Sequence, residues 1–161
     1  WANAAYGSGL WYARRYEDAI TQGKVALRMD PQQLWAHWVL GLSYEQIGSY
    51  PEAIAALEAA CKLGPMQGWL GHAYARAGRY ADAAKILEEL EDRAKQTGAQ
   101  AFNLALVHVG LGAKDRALHC LEQAADERNV WPLMAAQALP QFEPLRSEPR
   151  FQQIGQSLGF S

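Results

Sequence analysis

Leu40-Gly41-Leu42-Ser43-Tyr44-Glu45-Gln46-Ile47-Gly48-Ser49-Tyr50-Pro51-Glu52-Ala53 is the stretch whose reading decides the fold. Its marked positions, continued by Leu57, Ala60 and Pro65, come back in register as Leu104-Ala105, His108, Gly112, Lys114, Ala117, Leu121 and Ala124. Between these two lies a copy with Leu70-Gly71, Tyr74, Gly78, Tyr80, Ala83, Leu87 and Leu90, and upstream a weaker one with Gly7, Tyr16, Ala19, Ala26 and Pro31. A period near 34 residues, running from Leu-Gly-x-x-Tyr through Ala to Pro, marks stacked helical hairpins.

Each copy reads as helix A, a tight turn, helix B and a short link. In the second copy, helix A is expected from about Gln33 to Ile47, with Gly48 as its C-terminal cap. Tyr50-Pro51-Glu52 opens helix B, where the missing proline N–H does little harm. Gly64-Pro65 ends it after about Leu63. Gly41, Ala53 and Ala60 mark the close approach of the two helices, and Leu40, Tyr44 and Leu57 fill the space around it. Only 30 residues separate Gly41 from Gly71, so a helical turn is missing around Pro65-Met66-Gln67-Gly68. The third helix B is correspondingly long, from Tyr80 to about Gln96, ended by Gly98.

The last thirty or so residues leave the period. Val130-Trp131-Pro132-Leu133-Met134 leads into a short helix that Pro140 interrupts, and Phe142-Glu143-Pro144-Leu145-Arg146 reads as one helical turn. Ser147 is expected to cap a final helix with a one-sided stripe of Phe151, Ile154 and Leu158, up to Gly159. Such a helix suits a terminal cap over the last repeat.

The composition bounds the function. With 161 residues, half of them apolar and a fifth charged, one globular domain is expected. A net charge of −2 gives no footprint for nucleic acid. No apolar run reaches the roughly 18–20 residues that span a bilayer. Trp1 in place of an initiator Met suggests a fragment of a longer protein. Cys61 and Cys120 fall on the B helices of non-neighbouring repeats, beyond the ~7 Å reach of a disulfide. Thiols of this kind fit a reducing, cytoplasmic compartment.

These residues resemble the tetratricopeptide repeat family over nearly the whole chain. The resemblance implies an all-α, right-handed superhelical solenoid of antiparallel helix pairs with a C-terminal capping helix. It has about four repeats, at 1–32, 33–65, 66–97 and 98–129, with the cap at 130–161. Leu121-Glu122-Gln123-Ala124, Glu127-Arg128, Trp131 and the run from Phe142 to Phe151 are similar to the C-terminal ends of repeat arrays in bacterial multidomain signalling proteins. That similarity implies a sensor or docking half following a kinase, cyclase or winged-helix domain. Lys114, Ala83-Ala84 and Gly23 depart from the family's bulkier choices.

In such arrays helix A lines the concave groove, and spacings of three and four pick out its stripe. It comprises Trp35, Trp38, Leu42 and Glu45 in the second repeat, then His72 and Arg76 with Gly68 and Ala75 in the third. The fourth gives Phe102, Asn103, Leu106 and Val109, and the first Trp1, Ala4, Ser8 and Trp11. An aromatic, weakly charged stripe suits an apolar protein segment or peptide, oriented by Glu45, His72, Arg76 and Asn103. Packing between repeats is the other reading of Trp35, Trp38 and Phe102. The Lys, Asn and Arg with which related repeats grip chaperone carboxylates are missing, since Ala4, Ser8, Trp38, Val39 and Trp69 stand there.

No catalytic constellation, metal site or cofactor motif is found. His37, His72, His108 and His119 are scattered, and His108 takes a core position where other repeats carry Tyr. Gly110-Leu111-Gly112-Ala113-Lys114 follows a helix and lacks the ending of a phosphate loop. Glu88, Glu89, Glu91 and Asp92, interleaved with Lys85, Arg93 and Lys95, read as a solvated face. The expected function is therefore a non-catalytic protein-binding scaffold or regulatory module. The alternative is a self-association module that dimerises attached domains.

Overall fold

The computed structural model describes residues 2–98, 100–126 and 136–157. Trp1, Glu127-Arg128, the run from Val130 to Met134, Leu158 and Gly159 lie outside them, as does the side chain of Ala4. Among the described residues every regular element is helical. By its internal contacts the chain divides into two compact units, Trp1–Met66 and Gln67–Ser161.

The first unit holds α1 (Ala2–Tyr12), α2 (Tyr16–Met29), α3 (Leu34–Gln46) and α4 (Tyr50–Leu63). Consecutive helices pack together, α1 on α2, α2 on α3 and α3 on α4, and α1 also meets α3. This is the helix A and helix B alternation expected from the period. The α3–α4 crossing closes on a glycine: a Cβ on Gly41 would lie 2.5 Å from Cγ of Leu57, which is itself fully buried. In the preceding pair the small residue has moved to helix B. Gly23 holds the register of Leu57, and Leu40 from α3 fills the space, its Cγ 2.8 Å from where a Cβ would stand. That filling explains how a glycine replaces the family's large residue there.

The second unit holds α5 (Gln67–Arg76), α6 (Tyr80–Thr97), α7 (Ala101–Gly110), α8 (Lys114–Asp126), a 3₁₀ turn (Pro140–Leu145) and α9 (Pro149–Ser157). The shortened period is taken largely from the start of helix A, since α5 has 10 residues where α3 has 13. Helices α5 and α7 approach closely through glycine. A Cβ on Gly68 would fall 2.8 Å from Cα of Asn103, and one on Gly110 would fall 3.0 Å from the His72 carbonyl oxygen. Gly71 makes room for Val107 and Ile86. Phe142 and Leu145 of the 3₁₀ turn, with Phe151 and Ile154 of α9, are buried. The turn packs on α7 and α9 on α8, which places the C-terminal segment as the cap of this unit.

All four A-to-B turns use one backbone device. Gly48, Gly78 and Gly112 adopt φ of 78, 75 and 74°, and their N–H groups donate to Glu45, Ala75 and Val109. The residue after each donates to Tyr44, Tyr74 or His108, so two carbonyls at the helix end are satisfied. The first turn makes the same two bonds, from Arg14 to Trp11 and from Arg15 to Leu10, but with Arg14 at φ 58°. A side chain in this left-handed region costs roughly 1–2 kcal/mol that glycine does not incur.

Arg14→Gly should therefore raise stability by about 0.5–1 kcal/mol, the strain relieved less glycine's greater loss of chain entropy. Chemical denaturation checks it, and an unchanged midpoint would place the strain elsewhere. Gly41→Leu should lower stability by about 1–3 kcal/mol by overpacking the α3–α4 crossing, read in the same titration.

Candidate functional site

Helix α3 is apolar on almost every side, the pattern of a helix enclosed by neighbours. Of the four residues expected to line a groove here, Trp38, Leu42 and Glu45 are buried, Glu45 with 5% of its surface exposed. Trp35 is the accessible one, at 42%. The burial has a plain cause: α3 lies against α1, α2 and α4 together, so the spacing of three and four traces a packed face. Trp38 meets Trp11 of α1 at a ring separation of 5.8 Å.

A row of rings results. Tyr12 stands edge-on to Trp11 at 5.0 Å, Trp11 meets Trp38, and Trp38 meets Trp35 edge-on at 5.7 Å. Its inner members Trp11 and Trp38 are core, while its ends, Tyr12 at 49% exposure and Trp35, face outward. Edge-to-face pairs of this kind contribute about 0.5–1.5 kcal/mol beyond the area they bury. The row therefore packs in its middle and leaves rings exposed at its ends.

In the second unit, His72 is 3% exposed and Leu106 is fully buried. Gly68 lies against Asn103, and His72 against Gly110, so these residues serve the α5–α7 contact. Asn103 is half-buried and donates to Oε1 of Gln100 at 2.9 Å. Arg76 is exposed at the end of α5. Phe102 is half-buried and belongs to a second set of aromatic contacts: Trp69 stands 6.2 Å away, Phe142 5.7 Å away, and Phe151 stacks on Phe142 at 6.4 Å. The seating of Phe142 on Phe102 escaped the sequence reading, because residues outside the period carry no register.

The cap is also tied at its rim. Arg150 donates from Nε and Nη2 to the two carboxylate oxygens of Glu122, each at 2.8 Å, and Lys114 donates to Glu148 at 3.2 Å. The hydrogen bond from Arg150 holds the Glu122 carboxyl below its ordinary value. These groups are solvated, so the fork orients α9 while the buried phenylalanines hold it.

Burial pushes the Cys120 thiol up to about 11, away from the reactive thiolate. Burial also holds the His108 imidazole below its ordinary value; Arg116 adds to this and Glu91 opposes it. Among the described residues no group of three His, Cys, Asp or Glu side chains is placed to hold a metal ion. None of their helices is long and apolar enough to cross a membrane.

His108 should make the second unit acid-sensitive. A depressed imidazole favours the neutral form in the folded state, so its contribution is intact above the unfolded value of about 6.5 and is lost as pH falls through the lower folded value. His108→Tyr, which installs the residue of the other repeats, should flatten the stability profile below about pH 6.5. Parallel acid limbs for the two proteins would assign that sensitivity to other groups.

No curated protein matches the chain. Residues 5–68 match the family model of the tetratricopeptide repeat, spanning the α1–α2 and α3–α4 pairs. The same glycine turn and helix alternation continue through α5–α6 and α7–α8, so the all-α architecture of the tetratricopeptide repeats matched at residues 5–68 extends beyond them.

Proposed function

We propose that this chain is a non-catalytic protein-binding module, the scaffold or regulatory part of a larger bacterial signalling protein working in the cytoplasm. Tetratricopeptide repeats mediate protein–protein interaction in general, and the proposal concerns where this chain does so. The carrying observation is Trp35: a tryptophan at 42% exposure on an otherwise enclosed helix, backed edge-on by the buried Trp38. Tryptophan held rigid by its neighbours loses little entropy on binding and is a frequent energetic anchor. The partner segment lies against Trp35 in the first unit; the second unit, taken by itself, offers Arg76, Phe102 and Asn103 as its accessible expected contacts. Trp38, Leu42, Glu45, His72 and Leu106 act from behind, holding the helices that carry these contacts.

Paired substitutions separate the roles. Trp35→Ala should leave the denaturation midpoint nearly unchanged and abolish capture of partner proteins from a host lysate. Trp38→Ala should lower stability by about 3–5 kcal/mol, as for other buried aromatics. Capture undiminished by Trp35→Ala would overturn this placement of the site. A native chain that runs as a stable dimer by light scattering, and as a monomer after Trp35→Ala, would turn the same surface into a self-association face.

A further inference from the structure

Helices α1 and α3 carry almost no charge. Apart from tyrosines, their ionisable side chains are Glu45, which is buried, and His37, whose Nε2 lies 2.9 Å from the Pro31 carbonyl oxygen. The charges in the helices of the first unit otherwise sit on α2 and α4: Glu17, Asp18, Lys24, Arg28, Glu52, Glu58 and Lys62. A partner that meets Trp35 on α3 therefore finds rings and no exposed charge on that helix, and an acidic or basic group brought there would meet no counter-ion from α3 itself.

The second unit contains a worked example of what settles on such a surface. Phe102 holds the same repeat register as Trp38, and each has a tryptophan edge-on or tilted beside it. Beyond Phe102 the chain supplies its own next ring, Phe142, carried between Pro140 and Pro144 on a 3₁₀ turn that packs on α7. Proline fixes the turn in advance, so little conformational entropy is lost when the ring seats. In the first unit the row ends at Trp35 with its ring exposed.

Building on the reading above, we infer that the Trp35 surface takes an uncharged partner segment presenting an aromatic side chain beside proline, the chemistry of Pro140–Leu145 without its carboxylate. Recognition is by ring contact and backbone shape, and it is insensitive to salt because no ion pair is formed.

The probe is the chain's own Leu139–Arg146 segment as a free peptide with Glu143→Gln and Arg146→Gln, titrated by isothermal calorimetry into the full chain. Companion peptides carry Phe142→Ala, Phe142→Asp or Phe142→Lys. Binding of the neutral aromatic peptide should change less than about twofold between low and high salt. It should weaken at least about tenfold with Phe142→Ala or with Trp35→Ala in the protein. Tighter, salt-dependent binding of the Asp or Lys peptide, lost in the Trp35→Ala protein, would overturn the neutral partner and leave the Trp35 site standing. Binding of the neutral peptide unchanged by Trp35→Ala would overturn the site, and no binding of any of the peptides would overturn the inferred partner.

Discussion

The packing of each unit depends on how near two helix axes can come. An ordinary helix pair sits about 8–10 Å apart, and glycine lets the backbone of one helix receive a side chain of another. At Gly41 the guest is Leu57, at Gly23 it is Leu40, and at Gly71 it is Val107 with Ile86. Each guest is a branched aliphatic with few rotamers, so its position follows from the helix that carries it. Helix A is then apolar on nearly all sides, because it must be accepted by its partner and by neighbouring helices. That enclosure leaves Trp35, Arg76, Phe102 and Asn103, rather than the whole stripe, with surface to offer.

The turns impose the second constraint. A short antiparallel connection needs one residue in the left-handed region, and three of the four turns supply glycine. Arg14 meets the same hydrogen bonds at a steric cost, in a turn between two helices that pack together. Neighbouring side chains then decorate the helix starts in a repeating way. Arg15 pairs with Asp18 and Arg79 with Asp82, each at three residues' spacing on a solvated surface, where such pairs contribute little.

The period made the helices legible because it is a statement about backbone spacing. Gly48 and Gly98 stopped their helices where they were expected to, and α4 runs from Tyr50 to Leu63 as read. The site was less legible because a stripe of three and four says which residues share a face, and says nothing about what stands opposite. Leu42 and Leu106 lie on the expected face and are buried within their units. Gly68 and Gly110 carried the missing information, since two glycines on consecutive A helices signal that those helices touch. Reading Gly68 as part of a lining overlooked that contact. Phe142 was out of reach for a different reason: its seat on Phe102 is a long-range contact that no local pattern encodes.

An aromatic residue on a repeat helix is thus neither core nor binding surface by type; its place along a row of rings decides. Within a row each ring covers the edge of the next, and the inner members lose their contact with water. The terminal ring keeps one face and is held still by the rings behind it. In the second unit the chain places Phe142 against Phe102 and Phe151 against Phe142. In the first, Trp35 and Tyr12 remain as exposed terminal rings, oriented by two buried tryptophans. A solvated surface ring would ordinarily turn among several rotamers. The edge-on contact with Trp38 restricts Trp35 before any partner arrives, and that restriction is what distinguishes a docking ring from an incidental exposed apolar residue.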